Sequence, residues 1–150
     1  MAKHQPHRPN PDAERVKLRR LAGELGLGGL ASDTKWIELI NACRTLRWIG
    51  PRYRCKCIDS NYVCDWDYEW EALPYPFSAI EWVDIFCMED ITRDSVTRRT
   101  AAAKQTKDHS TEVETILALV GLDYVRGKNM IRVFAYAPRN TEGFDEKPPS

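Results

Sequence analysis

Two consecutive runs of strict alternation constrain this chain more than any other feature. In residues 52–58, Tyr53, Cys55 and Cys57 fall on one side, and Arg52, Arg54 and Lys56 on the other. In residues 62–71, Tyr62, Cys64, Trp66, Tyr68 and Trp70 alternate with Asp65, Asp67, Glu69 and Glu71. Successive side chains of a strand point to opposite faces, so such runs predict half-buried strands. Asp59, Ser60 and Asn61 between them are turn formers. A two-residue turn at Ser60-Asn61 sets Cys57 opposite Cys64, Cys55 opposite Trp66 and Tyr53 opposite Tyr68. Lys56, Arg54 and Arg52 then face Asp65, Asp67 and Glu69. A slip of one residue would turn the acids inward, so the parity is strongly specified. Each opposite-charge pair across the strands adds ~0.2–1 kcal/mol.

The flanking sequence supplies helices and further strands. Asn10-Pro11-Asp12 fits a helix start, with proline at the first position. Leu18, Leu21, Ala22 and Leu25 mark its narrow apolar stripe, and Gly26 ends it. Ser32 or Asp33 caps a second helix, on which Trp36, Leu39, Ile40, Cys43 and Leu46 share a face. Residues 73–77 form a proline-punctuated loop. Residues 78–86 read as a third strand with one carboxylate on each face, Glu81 and Asp84, so one of them must lie near the core. Residues 91–99 fit a short helix, and 100–109 a polar loop. Thr111 and Glu114 fit a capping box ahead of Val113, Ile116, Leu117 and Val120. Residues 122–126 and 130–136 form a last hairpin around Gly127-Lys128-Asn129. The expected fold is α+β, a mainly antiparallel sheet of about five strands with helices packed on one face, in the order α-α-β-β-β-α-β-β. The other face is left for solvent or a partner. Residues 11–137 form the single domain, and 1–10 and 138–150 are disordered tails.

The 150 residues include 22 basic and 22 acidic side chains, which argues against global electrostatic attraction to nucleic acid or acidic membranes. No apolar run approaches the ~18 residues of a membrane helix. Five cysteines without a secretory segment fit reduced thiols in a cytoplasm. Cys55, Cys57 and Cys64 lack the second close pair that structural zinc prefers, with Cys87 or His109 as the remaining donors. No phosphate loop, nucleophile elbow or paired-histidine metal motif is present. No catalytic residue, metal ligand or cofactor is therefore assigned.

Charge is unevenly placed. Residues 1–58 sum to +7, residues 59–94 to −9 and residues 95–150 to +2. Within the acidic block, Asp59, Glu71, Glu81, Asp84, Glu89, Asp90 and Asp94 escape the proposed strand pairing. With Trp70, Tyr75 and Phe77 as anchors, they form the expected partner-binding set, suited to a basic protein. Lys35-Trp36, residues 51–56, residues 81–85 and residues 131–136 resemble a family of small bacterial proteins of unknown function, over about residues 34–137. The resemblance implies no catalytic residues. Some proteins similar to that family look like immunity proteins that neutralise a toxin. The expected function is thus a non-enzymatic immunity protein or antitoxin, cytoplasmic and open to homodimer formation. One alternative is a metal-dependent hydrolase or nuclease using Glu81, Asp84 and nearby acids. Another is a nucleic-acid binder using Arg15, Lys17, Arg19, Arg20 and the Arg52 row.

Overall fold

A computed structural model describes residues 10–48, 51–91 and 105–145. Helix α1, Pro11–Glu24, starts as the sequence predicts: Asn10 Oδ1 accepts a hydrogen bond from the Ala13 amide at 3.2 Å. Gly26 adopts φ 72°, which bends the chain away from the helix. A two-residue strand, β1, Gly28–Gly29, follows. Ser32 caps α2, Asp33–Arg44, which buries Trp36, Leu39 and Cys43. Next come β2, Arg52–Cys57, β3, Ile80–Phe86, and β4, Met88–Asp90. Strand β5, Thr106–Asp108, leads into α3, Ser110–Val120, and Gly121 closes that helix in the left-handed region. Strands β6, Asp123–Arg126, β7, Met130–Phe134, and β8, Tyr136–Ala137, complete the order.

The fold is α+β. Its main sheet is antiparallel throughout, in the order β2-β3-β7-β6, with two small two-stranded sheets, β1-β8 and β4-β5. Tyr53 and Cys55 of β2, Val83 and Ile85 of β3, and Ile131 and Val133 of β7 share one core with Leu18, Trp36, Leu39, Val113 and Leu117. The three described helices therefore contribute their buried stripes to one core with this face of the sheet. Burying apolar area at ~25 cal/mol per Å² makes this the dominant stabilising contact.

Four local expectations are corrected. Residues 62–71 do not form a regular strand, and the neighbour of β2 is β3, with Arg54 opposite Asp84. Among the described residues, two isolated bridges, from Tyr53 to Asp67 and from Lys56 to Val63, stand in place of a ladder between 62–71 and the free edge of β2. Three intervals on β2 thus oppose four on the partner segment. That extra residue is a bulge, which destroys the uniform parity expected of a hairpin. Second, Thr111 and Glu114 make no capping box: Asp108 Oδ1 accepts the Ser110 amide at 2.8 Å, while Glu114 accepts from Tyr124 and Arg126. Third, residues 106–108, expected in a loop, pair with β4. The short helix expected over 91–99 lies almost wholly outside the described residues.

The fourth correction concerns the second face of the sheet, expected to be open. Met130, Arg132 and Phe134 of β7 and Trp82 and Asp84 of β3 are buried there. Residues 138–145, expected in a disordered tail, fold back along this face. Arg132 Nη1 donates to the carbonyls of Asn140, at 2.9 Å, and Glu142, at 2.7 Å. Asp145 accepts the amides of Lys128 and Asn129 at 2.8 and 3.0 Å, tying the segment to the β6–β7 turn. The ordered fold thus runs past residue 137, because the guanidiniums of Arg132 and Arg54 and the amides of Lys128 and Asn129 donate to the backbone and side chains beyond it. The expected tail at 1–10 falls outside the described residues except for Asn10.

Candidate functional site

The second face of the sheet concentrates the charged chemistry of the molecule. Cross-strand register sets Arg54, Asp84 and Arg132 side by side on β2, β3 and β7. Arg132 grips Asp84 through two bonds, Nε to Oδ1 at 2.6 Å and Nη2 to Oδ2 at 2.9 Å. Arg54 Nε donates to the same Oδ2 at 2.9 Å. Both Asp84 and Arg132 are fully buried. A bidentate guanidinium–carboxylate pair is the geometry that makes such burial tolerable. The Arg132 guanidinium also lies 3.6 Å from the Trp82 ring centroid, stacked on the indole. Beside this trio, Lys56 Nζ bonds Glu81 Oε1 at 2.6 Å, and Asn140 donates to Glu81 Oε2 at 3.2 Å.

Between β2, residues 61–63 and residues 140–143 lies a cleft of about 580 Å³, with Arg54, Lys56, Asn61, Trp82, Asn140 and Glu142 among its walls. Trp82 Nε1 is buried and has no hydrogen-bond partner among the described residues.

Along one side of the cleft runs the irregular segment 59–71. Asp59, Asp65, Glu69 and Glu71 are exposed on it. So are Tyr62 and Tyr68, at 40% and 57%. The segment is anchored by Trp70, which is buried against Tyr53 and donates through Nε1 to the Pro51 carbonyl at 3.0 Å. Reciprocal backbone bonds between Tyr53 and Asp67, each 2.8 Å, hold its middle. Glu71 reaches Arg44 of α2 at 2.7 Å, a solvent-exposed pair.

The sequence-selected acids and aromatics therefore do not form one surface. Asp84 and Glu81 are committed to internal ion pairs, so neither presents a carboxylate to a partner. Trp70 and Phe77 are core residues. Tyr75 is exposed, and its hydroxyl accepts from Arg15 of α1. Glu89 sits elsewhere, in a cluster with His109: His109 Nε2 meets Glu89 Oε1 at 2.8 Å, and the ring stacks on Trp48 at 3.9 Å and 2°. Trp48 Nε1 in turn donates to Glu112 at 2.8 Å. Asp90 is exposed on β4, and Asp94 lies outside the described residues. Of the set, Asp59 and Glu71 remain together on segment 59–71.

Sequence reasoning missed Tyr62 and Tyr68 as surface residues, because alternation assigned both to an inward face. It also missed Arg132. The signal available was a lone arginine in an apolar strand, within a chain that also places an aspartate in an apolar strand. The basic row of α1 is partly spent: Arg15 pairs with Asp12 and Asp33, and Lys17 with Glu14. All five cysteines are buried and none is in a disulfide. Burial pushes the Cys43 and Cys87 thiols up to about 12, which makes them inert at neutral pH. A hydrogen bond from the Ser110 hydroxyl holds the Asp108 carboxyl below its usual value. Among the described residues no three His, Cys, Asp or Glu side chains converge in a metal-binding group. Nor does any described helix have the length and apolarity to cross a membrane.

A family model for a family of unknown function matches residues 18–140, extending on both sides of the motif resemblance at 34–137. No curated protein and no solved structure matches the chain.

Proposed function

We propose, for a chain that belongs to the family of unknown function DUF6678, a non-enzymatic role: capture of a basic protein partner, in the manner of an immunity protein covering a toxin. The observation that carries this reading is the composition of segment 59–71. It sets two exposed tyrosines among four exposed carboxylates, on backbone joined to the sheet by two isolated bridges in place of a ladder. Exposed tyrosines supply large rigid contact area at low entropic cost, and a carboxylate rim steers a cationic surface toward them. The internal pairing of Asp84 and Glu81 supports the same reading, because it removes the strand carboxylates that a metal-dependent hydrolase would use. The pairing of Arg15 and Lys17 on α1 weakens the nucleic-acid alternative.

The test is to recover the partner on the immobilised chain from native lysate, then to measure affinity by calorimetry with purified components. Tyr68→Ala should weaken binding roughly 10-fold or more if the ring is an anchor. The triple reversal Asp65→Lys, Glu69→Lys, Glu71→Lys should slow association and flatten its salt dependence. Parental affinity in both variants, or a partner without a basic surface, overturns the reading.

A further inference from the structure

Cys55 and Cys64 bring their sulfurs to 3.5 Å across the junction between β2 and segment 59–71. We propose that these two thiols are an oxidisable pair, which closes to an intramolecular disulfide and locks segment 59–71 to the edge of the sheet. The inference is independent of what that segment binds.

The geometry is specific to this pair. The Cys64 amide donates to the Cys55 carbonyl at 3.0 Å, so the two residues are already neighbours through the backbone. The Cys55 amide donates to Cys64 Sγ at 3.1 Å. To reach a bond of ~2.05 Å, each sulfur moves by about 0.7 Å, within reach of a side-chain rotation. The junction is also where a covalent link would matter most. Segment 59–71 is held at the β2 edge by sparse bridges rather than a continuous ladder.

The two cysteines have different roles. Cys64 is the less buried, at 7% against 2% for Cys55. An N–H aimed at its sulfur stabilises negative charge there, as a nucleophile requires. Cys55, in contrast, has its thiol pushed well up by its hydrogen bond to Cys64 and by burial, so it is the resolving partner. With a peroxide as the oxidant, Cys64 sulfur attacks the peroxide oxygen and the O–O bond breaks. The products are a sulfenic acid on Cys64 and one water, or an alcohol for an organic peroxide. Cys55 sulfur then attacks the sulfenyl sulfur, the S–O bond breaks, and the hydroxyl leaves as water with the Cys55 proton. Two electrons pass from the dithiol to the peroxide, and both thiol protons end in water or alcohol. A dithiol reductant reverses the link by exchange.

The competing thiol is Cys57, two residues from Cys55 and also buried. The test treats the reduced, folded full chain with a small excess of hydrogen peroxide. Intact mass and a non-reducing peptide map are read, and then the melting temperature. The proposal expects a mass lower by two hydrogens, a peptide linking Cys55 to Cys64, and a Tm higher by about 5–10 °C for a loop this short. Reduction should restore the original mass and Tm. Cys57→Ser should keep the link, whereas Cys55→Ser should leave Cys64 as a sulfenic acid trappable by dimedone. Should a variant fail to fold, the peptide map of the parent chain still decides. A Cys57–Cys64 link, sulfinic acid as the main product, absence of any link in the folded chain, or an unmoved Tm overturns the proposal.

Discussion

Asp84→Asn is the substitution that tests the second face of the sheet most directly. Asp84 and Arg132 have fully buried side chains, and that of Arg54 is 14% exposed. The single negative charge at Asp84 therefore compensates two guanidiniums in a poorly hydrated place. Asparagine keeps the shape but removes the charge, and one of its two terminal atoms becomes a donor. If that nitrogen takes the Oδ2 position, it faces both Arg54 Nε and Arg132 Nη2. If it takes the Oδ1 position, it faces Arg132 Nε alone, so the second orientation is preferred. One charge-assisted hydrogen bond is then lost outright, at about 1.5–3 kcal/mol. The remaining bonds become neutral, and two buried cations lose their counter-ion. Breaking a buried pair in this way costs about 3–5 kcal/mol in total. Urea unfolding at neutral pH measures it, with m expected to be unchanged so that the midpoint alone reports the loss. Glu71→Gln is the control: its pair with Arg44 has both side chains more than half exposed, at 53% and 59%, and should cost under about 1 kcal/mol. Adding Arg132→Met to Asp84→Asn should cost less than the sum of the two single changes, because one stranded charge disappears with its partner. An Asp84→Asn chain within about 1 kcal/mol of the parent, at equal m, would refute the buried trio.

Two further outcomes follow from the same structure. Gly127→Ala places a Cβ 2.7 Å from both Asp145 Oδ1 and Phe144 Cζ, so residues 141–145 must shift. A loss of about 1–3 kcal/mol is expected, with faster amide exchange at Lys128 and Asn129, whose amides Asp145 accepts; unchanged exchange there would contradict the docking of that segment. Alkaline pH should destabilise the chain through its buried thiols. Cys43 and Cys87 ionise near 9.0 when unfolded and at about 12 when folded. Their contribution is therefore whole below pH 9 and lost as pH rises toward 12, the unfolded state being the one that releases protons. At pH 10 the loss is about 1.4 kcal/mol per thiol, and urea midpoints equal at pH 8 and pH 10 would rule it out.

Which parts of this molecule could be read in advance depends on whether a local rule acted alone. Asn10-Pro11 and Ser32 start their helices as expected, because capping needs only the next three residues. Arg52–Cys57 alternates in the sequence and in the fold, since that strand has a helix-covered core on one side and charge on the other. Residues 62–71 carry an equally clean alternation and do not form a strand, because the neighbour of β2 is β3, reached across 22 intervening residues. What remains for 62–71 is the outer edge of β2, which it follows with a bulge. Cys64 and Trp70 stay inward, and Tyr62 and Tyr68 turn to solvent. The periodic signal reports that a segment can lie on a sheet; it does not say which edge is vacant.

The charged trio was half legible. A carboxylate on each face of an apolar strand means that one of Glu81 and Asp84 must be buried with a partner, but nothing local says which; the structure buries Asp84. The partner lies 48 residues away on β7, and no local rule selects Arg132 over the other 13 arginines of the chain. Once the register is known, the choice follows: Asp84 is opposite both Arg54 and Arg132 on its two neighbouring strands. The same arginine then recruits the carbonyls of Asn140 and Glu142, and Arg54 that of Gly143, so the charged trio helps to hold residues 138–145 alongside their own Arg139, Asn140 and Asp145 side chains. Loss of the Asp84 carboxylate should accordingly loosen residues 138–145 as well, though none of them touches it, through the guanidinium they share.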